Sequence, residues 1–229
     1  MRKIVVISVL VLFFVLSDST LYSQDTIIDI DNNIYKTVTI GSSIWMAENL
    51  KTTKFNDGTP IQLCRNNIIW KSLIVPGYCW YNNDSIGYNN TYGALYNWYA
   101  AITGNLCPQG WHVSNHEDWK EVFTFLGGEV LSGGKLKETG YDHWKSPNSG
   151  ADNSSGFTAL PGGYRDWMGG FDLMGSCGVW WSIWAKKRLK IQLYDFGAGV
   201  NNSWSNSSDG NSIRCVKDKL NDNMSKKKK

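Results

Sequence analysis

The chain has 229 residues, 42% of them hydrophobic and 14% aromatic, with 23 Lys and Arg against 20 Asp and Glu. Its net charge of +3 sits at the ends: Arg2, Lys3 and Asp18 contribute +1 and Lys226 to Lys229 contribute +4, which leaves a body near −2. A near-neutral body has no electrostatic footprint for nucleic acid, and nucleic acid is excluded as a partner on that ground.

Arg2 and Lys3 precede an apolar run from Ile4 to Leu16, interrupted by Ser8. The run falls short of the roughly 20 residues that a bilayer-spanning helix needs. A short apolar core after positive charges, followed by small and polar residues, reads as a signal peptide over residues 1–23. Cleavage is expected near Ser23-Gln24. The first cysteine is Cys64, so no lipid-modified cysteine is expected at the new N-terminus. The mature chain is then extracytoplasmic, and it meets a membrane only during export. Residues 24–220 have the length of one domain with a sizeable core. Residues 221–229 read as a disordered Lys-rich tail, because a block of like charge repels itself.

Asp25 to Leu50 reads as strands. Ile34, Val38 and Ile40 lie in a β-rich run, Gly41-Ser42 breaks it, and Ile44-Trp45-Met46 resume, which predicts a hairpin. A helix is predicted over Tyr92 to Ile102, where Leu95, Trp98, Tyr99 and Ile102 repeat at i, i+3, i+4 and i+7. A second is predicted over Asn115 to Leu126. Ser114 and Glu117 form an S-x-x-E capping box there, Trp119, Val122, Phe123 and Leu126 make the apolar face, and Gly127-Gly128 stops the helix. Beyond Leu131 the chain is rich in Gly, Asn and Ser. Phe157 to Leu160, Val179 to Trp184, Ile191 to Phe196 and Ile213 to Val216 read as short strands between long loops. This is an α+β pattern with its helices in the first half.

The cysteines are Cys64, Cys79, Cys107, Cys177 and Cys215. An exported chain permits disulfides. Two bridges and one free thiol are possible, and spacing does not choose the pairing. No C-x-x-C occurs, so neither a thioredoxin-like site nor a zinc ribbon is supported.

Several segments are distinctive as a set: Ile34-Tyr-Lys-Thr-Val-Thr-Ile-Gly41, Trp45-Met-Ala-Glu-Asn-Leu-Lys51, Tyr92-Gly-Ala-Leu-Tyr-Asn-Trp-Tyr99, Leu106-Cys-Pro-Gln-Gly-Trp-His-Val113, Gly156-Phe-Thr-Ala-Leu-Pro-Gly-Gly-Tyr-Arg165 and the closing Ile213-Arg-Cys-Val216. Together they resemble the Fibrobacter succinogenes major paralogous domain over roughly Asp29 to Asp218. That family looks like a relative of the C-type-lectin-like fold, in the branch of the formylglycine-generating enzymes. The resemblance implies two helices packed on a small twisted antiparallel sheet, with long irregular loops. It also implies a disulfide between Cys107 and Cys215. The calcium-dependent sugar motifs of lectins, E-P-N or Q-P-D with W-N-D, are missing. The oxidase's second thiol is missing too, because Gly210 stands five residues before Cys215.

Candidate chemistry is sparse. His112 and His116 are four apart, but the predicted cap lies between them, so they do not share a helical face as zinc ligands would. His112 and His143 read as structural. Asp29-Ile-Asp31-Asn-Asn33 starts like a calcium loop, but Ile34 and Ile40 occupy the positions that need Gly and Glu. Asn82, Asn83 and Asp84 are the candidate metal ligands, for calcium, and Asp152-Asn153 is a similar cluster. Asn and Asp also crowd turns because they hydrogen-bond nearby backbone, and that reading is preferred. Gly133-Gly134-Lys135 fails as a phosphate loop, and no G-x-S-x-G is present. Twelve tryptophans remain to be assigned. Trp45, Trp80, Trp98, Trp111, Trp119, Trp144 and Trp180 are expected in the core. Trp167, Trp184 and Trp204 lie in loop-rich stretches and are the candidates for an exposed ligand-binding face. The reading is a non-catalytic binding or adhesion module of the cell envelope or exterior, with a glycan or a cell-surface protein as ligand. An enzyme on the same scaffold, either a glycan hydrolase or a degenerate oxidase, is the alternative. A purely structural envelope protein is the third.

Overall fold

The computed structural model describes residues 25–185 and 187–219, so the expected signal peptide and Lys-rich tail lie outside it. The protein is α+β, mostly sheet with few and short helices. Among the described residues no helix is long and apolar enough to cross a membrane.

The N-terminal hairpin forms as predicted. β1 (Thr26–Ile28) pairs with β2 (Ile34–Ile40), and β2 turns at Gly41 into β3 (Ser43–Met46). Gly41 has φ +62, which a glycine supplies without strain. Next come β4 (Gln62–Leu63), α1 (Asn67–Ser72) and β5 (Gly77–Cys79). α2 (Ser85–Tyr92), β6 (Leu95–Tyr96) and α3 (Trp98–Ala101) then replace the single helix predicted over Tyr92 to Ile102. The periodicity was real in sequence but lost to tertiary partners. At Gly93 (φ +74) an added Cβ would sit 2.8 Å from the Leu50 carbonyl oxygen. Ala94 N–H donates to Leu50 O, Tyr96 and Asn211 exchange backbone hydrogen bonds, and Asn97 caps the one-turn α3.

β7 (Trp111–Val113) leads into α4 (His116–Phe125), the predicted second helix. Its capping box is Asn115 with Asp118, one residue beyond the Ser114–Glu117 pair expected. The segment S-N-H-E-D offers both registers. Ser114 is instead drawn into the core, where its Oγ accepts from Trp119 Nε1 at 3.1 Å. α5 (Glu129–Leu136) is a helix that the Gly-rich sequence did not predict. Gly133 and Gly134 are there for close approach: a Cβ on either would lie 2.2 Å from the carbonyl oxygen of Gly199 or Gly150. The second half supplies β8 (Gly162–Arg165), β9 (Phe171–Met174), β10 (Cys177–Trp184), β11 (Lys187–Tyr194), β12 (Asn201–Trp204) and β13 (Cys215–Lys217). Phe157 to Leu160 is not a strand. It makes one bridge, Lys137 to Ala159, and gives its carbonyls to a buried arginine.

The strands form three small sheets rather than one. Their orders are β1-β2-β3-β13-β7, β12-β11-β10-β8-β9 and β4-β5-β6. Pairing is antiparallel except for β10 with β8 and β4 with β5. β13 therefore closes the first sheet between elements distant in sequence. The Cys107–Cys215 disulfide anchors it there, with Cα atoms 6.0 Å apart and a sequence separation of 108.

The core is aromatic. Trp45, Trp119, Phe157 and Trp180 pack with ring centroids 4.8 to 6.4 Å apart. All seven tryptophans assigned to the core are buried, as are Trp70 and Trp181. Arg214 lies fully inside, with its guanidinium 4.2 Å from the Phe157 ring centroid. Its Nε donates to Asn49 Oδ1 at 2.7 Å, Nη1 to the Met46 and Phe157 carbonyls, and Nη2 to the Thr158 carbonyl. Burial pulls its pKa down to about 9.

Two stability predictions follow from this core. Arg214→Ala strands these buried carbonyls and should cost about 3–4 kcal/mol of unfolding free energy. Arg214→Lys, which cannot span the same acceptors, should recover only part of that loss. Replacing Cys107 and Cys215 together by Ala should cost about 2–4 kcal/mol. Equilibrium urea unfolding reads both, and a loss under about 1 kcal/mol for Arg214→Ala would show that its acceptors find other donors.

Candidate functional site

The β10–β11 hairpin carries Trp184 and Lys187 opposite each other at the end where its two strands connect, and Trp204 of β12 lies across from Leu189. The Lys187 ammonium sits 4.3 Å from the Trp184 ring centroid and 5.9 Å from that of Trp204. The His116 ring, at the first position of α4, lies 4.9 Å from Trp184. Trp184 is 40% exposed and Trp204 is 65% exposed. Two of the three tryptophans expected to face solvent are thus brought together around one cation. β12 adds the polar side chains of Asn201, Asn202 and Ser203 along the edge of the sheet. Such an edge combines a flat ring face with nearby donors and acceptors, which a polyhydroxylated ligand requires.

Trp167 is also exposed, at 44%, but stands elsewhere, on the β8–β9 turn beneath the Lys71 ammonium. That turn packs on α1: Arg165 donates to Asn67 Oδ1, and a Cβ on Gly169 would touch Asn67. Ile68 and Ile69 of α1, Ile74 and Val75 after it, and Met168 of the turn are exposed as well. Little in the sequence marks these exposed apolar side chains. Their one signal is the Ile68-Ile69 pair in the first turn after the Asn66 cap. Lys187 and His116 were missed because only the hairpin and the α4 start, meeting in space, place them on Trp184.

A cleft of about 500 Å³ opens beside the disulfide, between α3, Ile102, Leu106, Val113 and Ile183. His112 stands at its rim. Its Nδ1 donates to Asp218 Oδ1 at 2.7 Å and its Nε2 to Asp118 Oδ2 at 3.0 Å. The hydrogen bond to Asp118 is the main reason its pKa is raised, and burial opposes it. While the ring is protonated both nitrogens donate to carboxylates, so His112 then has no lone pair with which to take a proton from a substrate. His143 pairs with Glu138 at 2.8 Å. Among the described residues, no group of three or more His, Cys, Asp and Glu side chains is placed to hold a metal ion.

Asn82 and Asn83 adopt positive φ, and Asp84 caps α2 by accepting from the Ile86 and Gly87 amides at 3.0 Å. Asn83 Nδ2 donates to Arg65 O, and its Oδ1 is buried without a partner. Asp152 accepts from the Ser154 amide, another local turn. Asp29 spends both oxygens on Asp31, Asn33 and Tyr35. Burial would raise the Asp31 carboxyl, but the Thr53 amide and Lys54 bring it down to about 2. Gly210, where the oxidase would carry its second thiol, has no room for a side chain: a Cβ would lie 2.9 Å from Trp70.

A pH dependence follows from His112. Its folded pKa is raised above the ordinary 6.5, so its contribution to stability is complete below about 6.5 and is lost as pH rises through the folded value. Unfolding midpoints at pH 6 and pH 8.5 should show the native chain losing stability, and His112→Gln should flatten that part of the profile. An unchanged slope in the variant would assign the dependence to other groups.

No curated protein and no solved structure matches the chain. A protein-family model does, that of the Fibrobacter succinogenes major domain, over residues 38–217. The match covers well over half of the chain and contains the aromatic edge, the cleft and the disulfide. The chain belongs to the Fibrobacter succinogenes major domain family.

Proposed function

We propose that the protein is an exported, non-catalytic binding module of the cell envelope or exterior, and that its ligand is a glycan held on the Trp184–Trp204 edge. One observation carries this reading: two exposed indoles share the Lys187 ammonium at 4.3 and 5.9 Å beside a polar edge strand. An indole face packs on the apolar face of a pyranose ring, and neighbouring Asn, Ser and Lys groups bond its hydroxyls. A C-type-lectin-like arrangement of the fold would suit such a role, and calcium held at Asn82, Asn83 and Asp84 would be an accessory to it. His112, at the rim of the cleft, has both ring nitrogens against carboxylates, which weighs against a general-base role for it there.

A second reading has its own observation. Ile68, Ile69, Ile74, Val75, Trp167 and Met168 are exposed apolar side chains on α1, the residues after it and the turn packed against it, with Ile68 81% and Ile74 74% exposed. Surfaces of this kind mark protein contacts, and a cell-surface protein would be the ligand there.

A glycan array on the mature chain, run with calcium and then with chelator, tests the first reading. Saturable binding to one glycan class is expected. Trp204→Ala should weaken it at least tenfold, about 1.4 kcal/mol, while the pair Ile68→Ser and Ile74→Ser leaves it unchanged. Loss under chelator would add calcium to the site. A folded protein that binds no glycan would overturn the first reading and leave the apolar surface as the contact.

A further inference from the structure

Cys64 and Cys79 are far apart in the covalent sense and adjacent in the fold. β4 and β5 run parallel with Gln62 opposite Gly77 and Leu63 opposite Tyr78. The ladder continues one step further, because the Cys64 amide donates to the Tyr78 carbonyl at 3.0 Å. The next pair in that register is Cys64 with Cys79. Residues opposite each other on neighbouring strands are about 4.8 Å apart and point to the same face, inside the range of Cα separations that a disulfide spans. Both thiols enter the same cluster, with Trp70, Leu73, Tyr81 and Leu95. The Arg165 guanidinium lies beside both residues, donating to the Cys64 carbonyl at 2.6 Å and offsetting only part of the rise that burial imposes on the Cys79 thiol.

We infer that Cys64 and Cys79 are the site of a second disulfide, which ties β4 to β5 across the base of the α1 segment. Cys64, Cys79 and Cys177 are all free thiols in this structure; with the first two joined, Cys177, opposite Tyr194 on the β10–β11 pair, is the odd one. The cross-link would fix the segment that presents Ile68, Ile69, Ile74 and Val75 to solvent. Both thiols are buried, at 3% and 0% exposure, so they serve the fold rather than a dissolved substrate. Burial also pushes the Cys79 thiol up to about 12 and raises that of Cys64. Little thiolate exists in the folded protein at neutral pH, so closure belongs to folding.

The oxidant is a small-molecule disulfide such as oxidised glutathione. One cysteine thiolate attacks it, forming a mixed disulfide and releasing one glutathione thiol. The second cysteine displaces the other glutathione, and two protons are lost from the protein thiols as two glutathione thiols form. Two protein thiols are oxidised and one disulfide is reduced.

The experiment is a thiol count. The reduced, unfolded mature chain is refolded in a glutathione redox buffer, with oxidised glutathione raised until peptide mapping finds Cys107–Cys215 closed. It is then unfolded in iodoacetamide without reductant. Intact mass should show one alkylated thiol per chain, and none in Cys177→Ser. Peptide mapping should recover Cys64 linked to Cys79. Three alkylated thiols in chains whose Cys107–Cys215 bond is closed would overturn the inference. A Cys177 found linked to Cys64 or Cys79 would overturn it as well.

Discussion

A guanidinium buried without a carboxylate must be solvated by the protein's own dipoles, and Arg214 is solvated in that way. Three backbone carbonyls and the Asn49 amide oxygen surround it, contributed by the end of β3, the loop after it and the Phe157–Thr158 stretch. Asn49 Oδ1 accepts from Trp180 Nε1 as well, so the same atom joins β10 to the cluster. Segments that share no secondary structure thus meet at one cation, next in sequence to the cysteine that closes the long disulfide. Desolvating such a charge is costly unless every donor is used. The loops around it are accordingly confined to the one conformation that places their carbonyls there.

The irregular second half is held by the same device at other points. Lys137 is fully buried and donates to the carbonyls of Ser149, Tyr194 and Gly197, each at 2.9 Å. Arg165 lies 4.4 Å from the Trp70 ring centroid and donates to the Gly169, Cys64 and Arg65 carbonyls and to Asn67. Long loops rich in Gly, Asn and Ser bury little apolar surface themselves. Buried cations give them backbone hydrogen bonds that sheets would otherwise provide. This explains how three small sheets and short helices make one rigid scaffold. It also leaves the hairpin end with Trp184 and the β8–β9 turn with Trp167 free to project from it.

Legibility in the sequence followed the range of the interactions. The β2–β3 hairpin and α4 were readable because their signals are local: a turn glycine, an apolar face and a cap within a few residues. The Ser114 box was misplaced by one residue because its hydroxyl answers to Trp119 and Trp181 inside the core, not to its own helix. The helix expected over Tyr92 to Ile102 failed for a similar reason, since Asn211 and Leu50 bind its backbone from distant parts of the chain. α5 was hidden by two glycines whose purpose is contact with residues 150 and 199. The Cys107–Cys215 pair was anticipated through family resemblance, while the juxtaposition of Cys64 and Cys79 needed the β4–β5 register.

By itself, then, the sequence determined the class of the protein, its one strong helix, its first hairpin, its family and the buried or exposed side of ten of its twelve tryptophans, Trp70 and Trp181 being left unplaced. Those properties depend on composition, short-range periodicity and ordered motifs, which are complete in one dimension. Tertiary structure alone decided that Trp184 and Trp204 share Lys187 while Trp167 joins an apolar surface on α1. It also decided that His112 is held between two carboxylates, and that Arg214 organises the core. Each of these brings together side chains tens of residues apart or more, or sets a titratable group against partners from several elements. Such proximity arises only when strand register and loop path are fixed by burial and hydrogen bonding across the whole chain.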